Sequence, residues 1–245
     1  MSSDSQFPAG SLAVVATPIG NLGDISFRAV EILKSADLLL CEDTRHSKRL
    51  LDHYTIQVAT TSYGAHNVKS KLSWVLEQLS QGKRVALISD AGTPGISDPG
   101  TILVRSAIAA GHAVIAIPGP AALIPALVLS GLRTDSFVFE GFLPHKKGRQ
   151  TKFKQLALEP RTIVLYESVH RIQKTLSELL EYLGNRNIAV CRELTKLHEE
   201  IVRGSVSDAI AHFEKHTPKG EFVVVVAGLE DFDRADEASK DNEPS

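Results

Sequence analysis

Ser89-Asp90-Ala91-Gly92-Thr93-Pro94-Gly95-Ile96-Ser97-Asp98-Pro99-Gly100 follows a short apolar run, Val85-Ala86-Leu87-Ile88. The run has the length and branching of a buried strand. After the stretch, Ile102 to Ala110 is apolar at helical spacing. The stretch is therefore a loop at the carboxyl end of a strand, where open α/β sheets place their ligands. Three glycines and two prolines stiffen it and leave its backbone open to close approach. Asp90 stands at the strand's exit, where a carboxylate accepts from hydroxyls or an amine. Asp98 is expected to cap the next helix, with Pro99 at the first helical position.

Outward from this loop the same alternation repeats. Leu12 to Ala16 reads as a strand and ends in Thr17-Pro18-Ile19-Gly20-Asn21-Leu22-Gly23-Asp24. Asp24 is placed to cap a helix reaching Ala36. Leu38 to Cys41 is a strand followed by Glu42-Asp43-Thr44-Arg45-His46 and a helix to Tyr54. Val58 to Thr61 is a short strand, and His66 to Ser80 an amphipathic helix. Ala113 to Ile117 is a strand closed by Pro118-Gly119-Pro120. In the second half, helices are expected at 121–129, 146–158, 169–183 and 208–216. Strands are expected at 137–140, 162–166, 188–192 and 222–227. The class is α/β with largely parallel sheets, antiparallel pairings in the second half remaining open. The character of the loops changes near Pro118. That places an N-terminal α/β domain at 11–117 and a second at 118–229, with a flexible N-terminus (1–10) and an acidic tail (230–245).

The 245 residues suit one large or two small domains, and 43% hydrophobic residues is ordinary for a globular protein. No apolar run is long enough for a membrane span, and Met1 to Gly10 lacks a signal-peptide core. Cys41 and Cys191 each lie in an apolar run and are expected to be buried thiols in a reducing cytoplasm. The net charge of −2 is uneven. Residues 230–245 hold seven acids and two bases, a local −5 that leaves the remainder at +3. That acidic stretch has no apolar pattern and is expected to be disordered. The mildly basic remainder permits an anionic partner without demanding one.

Several chemistries are disfavoured by what is missing. No G-x-x-x-x-G-K-[ST] occurs, and Gly20 and Gly23 do not complete a dinucleotide fingerprint. His212 and His216 lie four apart in H-F-E-K-H, not in the zinc pattern H-E-x-x-H, and no Cys-x-x-Cys exists, so no metal is expected. The glycine/proline loops at 17–24, 90–100 and 118–120 each follow an expected strand. Together they exceed what turns require and point to a ligand cleft lined by backbone groups.

These loops carry a resemblance. Thr17 to Asp24, Glu42 to His46, Asp90-Ala91-Gly92-Thr93-Pro94, Pro118-Gly119-Pro120, Tyr166-Glu167-Ser168-Val169-His170-Arg171 and Arg192-Glu193-Leu194-Thr195-Lys196 stand in one order. In that order they closely resemble the ribosomal RNA small subunit methyltransferase I family of the tetrapyrrole-methylase (class III) superfamily, over about residues 11 to 228. The resemblance implies two α/β domains with S-adenosylmethionine in the cleft between them. It also implies a homodimer and 2′-O-methylation of a decoding-centre cytidine in 16S rRNA. Family members commonly carry a further small helical segment at the C-terminus where this sequence has its acidic stretch, so substrate handling is expected to differ there.

By analogy with the superfamily, Pro18, Asp90, Gly92, Thr93, Ala121, Ala122, Tyr166, Arg192 and Glu221 are assigned to the cofactor. Methyl transfer is an in-line displacement that rests on positioning. A ribose hydroxyl is a poor nucleophile when protonated, so Glu42, Asp43 and His170 are candidate bases. Arg45 and Lys196 are candidates to hold RNA phosphate or to lower the hydroxyl's pKa. Residues 145–154 carry five positive charges and no acid. Lys146, Lys147 and Arg149 are therefore expected to contact the rRNA backbone, with Pro144 and Gly148 letting the loop move as a lid. Two other classes compete: a tetrapyrrole or other small-molecule methyltransferase on the same fold, and a non-enzymatic RNA- or nucleotide-binding module.

Overall fold

Leu38 to Cys41 are buried on both faces of the strand they form, so the sheet around them must be covered on both sides. The computed structural model describes residues 7–64, 66–98 and 100–231. They divide into two compact units between Ala121 and Ala122. In the first unit β1 (Leu12–Val15), β2 (Leu38–Cys41), β3 (Thr60–Ser62), β4 (Val85–Leu87) and β5 (Val114–Ile117) form one sheet. Its order is β3-β2-β4-β1-β5, with every pair parallel.

Side chains alternate across a strand. Ala13, Leu39 and Cys41 face a core that includes Ala29, Ile32 and Leu33 of α1 (Phe27–Ser35) and Leu51 of α2 (Thr44–His53). Leu12, Leu38 and Leu40 face the opposite core, with Val75 and Leu79 of α3 (Val68–Ser80) and Leu103 and Ala107 of α4 (Gly100–Ala109). Phe7 lies in the stretch expected to be flexible, yet it is 1% exposed within the first core, and its carbonyl accepts from Arg84 Nε at 2.8 Å. Met1 to Gln6 and residues 232–245, most of the acidic stretch, lie outside the described residues, as does Pro99.

Local capping sets the helix starts. Asp24 does not cap α1, because it closes a 3-10 turn, Leu22–Asp24. Ser26 takes that role, its hydroxyl accepting from Ala29 N at 3.1 Å. Asp98 behaves as expected: its carboxylate accepts from Gly100 N at 2.8 Å and Gly95 N at 2.7 Å.

The second unit is mixed. Its strands are β6 (Phe137–Phe142), β7 (Thr162–Ser168), β8 (Asn187–Arg192), β9 (Glu200–Ser205) and β10 (Glu221–Val226), in the order β6-β7-β10-β8-β9. Only β6 and β7 are parallel; the other three pairs are antiparallel. Helices α6 (Arg149–Leu156), α7 (Ile172–Leu183) and α8 (Val206–Lys215) cover one face through Phe153, Leu176, Leu179 and Phe213. Helix α5 (Leu123–Ser130) packs on β7, β8 and β10. Strand β9 is absent from the sequence reading because it is an edge strand, half-buried, with Glu200, Arg203 and Gly204 interrupting its apolar residues. It feeds α8 through a capping box between Ser205 and Asp208.

Cys41 and Cys191 are free and buried, and burial pushes the Cys191 thiol up to about 11. Among the described residues no helix is long and apolar enough to cross a membrane.

Arg186 is 1% exposed. Its guanidinium donates to the carbonyls of Leu183 (3.1 Å), Ala227 (3.3 Å) and Ala157 (2.6 Å), which end α7, follow β10 and end α6. Helix C-terminal carbonyls attract a cation and otherwise lack partners. Arg186→Leu strands all three carbonyls in a dry environment and is expected to cost about 2–4 kcal/mol of stability. Urea unfolding checks this; a loss below ~1 kcal/mol would show that other groups satisfy them.

Candidate functional site

Four loops meet at the carboxyl edge of the first sheet. β1 leads toward β2, while its neighbour β4 leads the opposite way toward β5. Such a reversal opens a crevice above the strand ends. The loops are laced rather than merely adjacent. Thr17 N donates to Gly92 O at 2.9 Å and Gly92 N to Thr17 O at 3.0 Å. Thr17 Oγ1 donates to Ser89 O at 3.2 Å, and Thr93 Oγ1 to Pro120 O at 3.0 Å. Gly92 has φ +81°, a conformation that favours glycine. Gly119 is tight for another reason: a Cβ there would lie 2.9 Å from Ala16 Cβ. Half-buried Asp90 ties in the fourth loop, its Oδ1 accepting from Asp43 N at 3.0 Å. Pro18, Asp90, Gly92 and Thr93 are thus brought to one edge, with Ala121 directly after Pro120.

The acidic residues on this edge differ in character. Glu42 is exposed, but loss of solvent around its carboxylate, then the charges of Asp90 and Asp98, hold it above the usual glutamate range. Asp43 is the reverse. It caps α2 and accepts from Arg45 N (2.8 Å), Nε (3.1 Å) and Nη2 (2.7 Å), which hold it well below the usual range. A carboxylate so pinned makes a weak base, and the same contacts offset the charge of Arg45. The structure therefore disfavours Asp43 as the base, while Arg45, although paired with Asp43, keeps an exposed side chain.

The second unit gathers its polar loops at one end of its own sheet, where β6, β7 and β8 finish and β9 and β10 begin. Tyr166 packs edge-on against Phe139 and Phe142, and its hydroxyl accepts from Leu123 N at 3.2 Å, the residue after Ala122. Arg192, at the end of β8, pairs with Glu200 at 2.9 Å. Lys196 Nζ lies 2.8 Å from both Glu193 Oε1 and Glu221 Oε2. Partial burial opposes the ammonium charge, but these carboxylates outweigh it and hold Lys196 above the usual lysine value.

The loop carrying Lys196 is strained. Glu193 and Thr195 have φ +51° and +68°, and for β-branched Thr195 that is a genuine outlier. Such residues persist where surroundings over-determine them, and they cluster at functional sites. Here Thr195 N donates to Glu199 Oε2 at 2.6 Å, and Glu221 N to Glu193 Oε1 at 3.0 Å. Gly220 has φ +86°, and a Cβ on it would overlap the Glu193 carboxylate. Glu193 and Gly220 were not among the assigned site residues; the signals for them were Glu193's place in the Arg192–Lys196 motif and a glycine immediately before a strand.

His170 is exposed after β7, and Lys146 and Lys147 are exposed after β6. Arg149 corrects the sequence reading. It is 4% exposed, with Nη2 2.6 Å from Glu178 Oε2, and cannot present its charge to a phosphate. Lys152 likewise pairs with Glu140 at 2.6 Å. The acids that balance this segment come from elsewhere in the unit, which inspection of residues 141–158 alone misses. Among the described residues no cluster of three or more His, Cys, Asp or Glu could hold a metal ion. A cavity of about 180 Å³ lined by Arg133, Arg161, Glu230 and Asp231 lies where β6 and β7 begin, away from these loops. Its arginines are already paired, Arg133 with Asp135 and Arg161 with Glu159.

Residues 11–210 match the family of tetrapyrrole (corrin/porphyrin) methylases. The chain is 52% identical to the ribosomal RNA small subunit methyltransferase I of Synechocystis sp., over 92% of this chain and 81% of that protein. It is 47% identical to the protein of that name from Thermotoga maritima, over 90% and 100% respectively, and 43% identical to that of Bacillus subtilis, over 93% and 78%. Among solved structures, uroporphyrin-III-C-methyltransferase from Thermus thermophilus superposes with TM-score 0.64 at 19% identity, covering 92% of this chain and 98% of that one. A cobalt precorrin-4 methyltransferase gives TM-score 0.68 at 17% identity, covering 89% and 95%. At that identity the structural likeness supports the fold alone.

Proposed function

Because the chain belongs to the tetrapyrrole (corrin/porphyrin) methylase family, we propose that it is an S-adenosylmethionine-dependent methyltransferase acting on the 2′-hydroxyl of a decoding-centre cytidine in 16S rRNA. The observation that carries this reading is the laced loop edge around Asp90, joined to 43–52% identity with proteins named for rRNA methylation. The residues present fit the cofactor. Among the described residues Asp90 accepts from Asp43 N through Oδ1 alone, which leaves Oδ2 for an ammonium or ribose hydroxyls, and buried Gly92, bonded through both its N–H and its C=O to Thr17, holds the loop beside it in shape. Pro18, Asp90, Gly92, Thr93 and Ala121 of the first unit, with Ala122, Tyr166, Arg192 and Glu221 of the second, are assigned to hold it. S-adenosylmethionine supplies an electrophilic methyl group on a sulfonium.

The chain's own residues then orient and deprotonate the hydroxyl. Glu42 and His170 remain the candidate bases, and Lys196, held charged, is suited to stabilising the developing oxyanion. Lys146 and Lys147 offer exposed charge to RNA phosphate. Assembly as a homodimer in the bacterial cytoplasm is part of the proposal and rests on the family resemblance. Sedimentation at micromolar concentration tests the dimer; a monomer there would remove it.

Transfer of tritiated methyl groups to 30S subunits, free 16S rRNA and a porphyrinoid tests the reading. 2′-O-methylcytidine in the RNA digest is expected. Labelled porphyrinoid with unlabelled RNA would favour the tetrapyrrole reading, which the family match and the fold likeness support. RNA binding without any transfer would favour a binding module.

Glu42 makes a separate prediction. It acts as a base only when ionised, so activity falls as pH drops through its raised pKa. Its folded-state pKa lies above the unfolded value. The neutral form therefore favours the fold, and that advantage is lost as pH rises through the folded pKa. Glu42→Gln should abolish the acid limb of the kcat/KM profile, lower the plateau at least ~10-fold and raise Tm slightly at pH 7. A retained acid limb would exclude Glu42 and leave His170.

A further inference from the structure

A chain of polar groups, buried at Arg149, Thr175 and Glu167 and half-buried at Glu178 and Arg171, adjoins the basic segment after β6. Arg149 Nε and Nη2 donate to Glu178 Oε2 at 2.9 and 2.6 Å, and Nη2 also donates to Thr175 Oγ1 at 2.8 Å. Thr175, fully buried, donates in turn through Oγ1 to Glu167 Oε2 at 2.7 Å. Glu167, 2% exposed, pairs through Oε1 with Arg171 Nε at 2.8 Å and accepts from Ser168 N at 2.8 Å. The two guanidiniums end on consecutive carbonyls. Arg171 Nη1 donates to Leu143 O and Arg149 Nη1 to Pro144 O, each at 3.0 Å.

Those carbonyls enter the exposed segment His145-Lys146-Lys147-Gly148, and Arg149 leaves it. Both ends of the segment are therefore clamped by one network. Within it, Arg149 N donates to Lys146 O at 3.2 Å, and Gly148 has φ +83°, so the turn is tight as well as tethered. This geometry opposes the movable lid expected from Pro144 and Gly148. Burying Glu167 and Arg149, with Glu178 and Arg171 half-buried against them, is a poor way to stabilise a core, because apolar residues of equal volume serve as well or better. What such a network supplies is a single fixed arrangement.

Resting on the reading of the chain as an rRNA methyltransferase, we infer that Glu167, Thr175 and Glu178 are positioning residues, acting through Arg149 and Arg171. They hold Lys146 and Lys147 in place for the phosphates of the RNA substrate before it binds. A clamped segment spends little conformational entropy on binding, whereas a loosened one must be ordered each time. The lysines themselves set how many counterions are released. Loosening and removal therefore leave different marks.

The experiment measures affinity of the full-length protein for a 16S decoding-region RNA fragment across a potassium chloride series. Thr175→Val and Glu178→Gln should each weaken binding roughly 10-fold at fixed salt while keeping the wild-type salt slope. Thr175→Ser, which keeps the hydroxyl, should stay within about 2-fold of wild type. Lys146→Ala with Lys147→Ala should instead reduce the slope by about 1.5. S-adenosylmethionine affinity should be unchanged throughout. Folded Thr175→Val or Glu178→Gln protein with wild-type RNA affinity would overturn the inference and leave the network a fold staple. If neither variant folds, amide exchange across 145–149 in the wild type decides: slow exchange supports the clamp and fast exchange refutes it. Wild-type protein that binds no RNA would overturn the rRNA reading itself.

Discussion

Replacing Asp90 with Ala is expected to weaken S-adenosylmethionine binding by roughly 10²–10³-fold, since each hydrogen bond to a charged group contributes about 1.5–3 kcal/mol. The residue has two duties that a single variant confounds. Its Oδ1 holds Asp43 N, joining the exits of β2 and β4, and its carboxylate carries the charge assigned to the cofactor. Alanine removes both, so a loss of affinity could be a loss of loop structure. Asn separates them. It keeps an amide oxygen for Asp43 N but loses the negative charge. Asp90→Asn should therefore keep a Tm close to wild type and still bind cofactor at least ~10-fold more weakly, because charge-assisted bonds are about twice as strong as neutral ones. Calorimetric titration with differential scanning measures both quantities. Full affinity in a folded Asp90→Asn protein would sink the charge argument. Full affinity in Asp90→Ala would sink the assignment of Asp90 altogether.

How far these arguments were legible in the sequence varies with how local their causes are. The strands of the first unit were readable because a parallel sheet covered on both faces leaves runs such as Leu38 to Cys41 and Val85 to Leu87 wholly apolar. Their loops announce themselves through glycine and proline. Strand β9 was not readable, because an edge strand has no such run to show. Nor was the antiparallel insertion of β10 between β7 and β8, since strand order follows from contacts distant in sequence. The site divides in the same way. Asp90 and the loops at 17–24 and 118–120 follow from local composition, and the ligand proposed for them followed from the family resemblance rather than from the residues. Arg149 misled because the charge that buries it, Glu178, is 29 residues away on α7. Glu193 and Gly220 escaped because the constraint on the glycine is a carboxylate from a different strand's exit.

That last constraint gives Gly220→Ala an effect out of proportion to one methyl group. The new Cβ would overlap the Glu193 carboxylate, and φ +86° already disfavours alanine. Glu193 must swing away, and with it go one of the two carboxylates on Lys196 and the acceptor of Glu221 N. Lys196 retains Glu221 alone, and the left-handed turn at Glu193 and Thr195 loses part of what over-determines it. If the ammonium stabilises the developing oxyanion, Lys196→Ala should lower kcat about 10²–10³-fold, as removal of an oxyanion donor does. Gly220→Ala should reproduce most of that loss, at least roughly 30-fold, because a preorganised charge displaced by an ångström is largely wasted. The decisive comparison is the double variant. Two changes that act through one ammonium are not additive, so Gly220→Ala with Lys196→Ala should be no slower than Lys196→Ala alone. Multiplicative losses in single-turnover methyl transfer would place Gly220 and Lys196 in separate roles. A Gly220→Ala enzyme that melts earlier but turns over at the wild-type rate would show the strained loop to be a feature of the fold only.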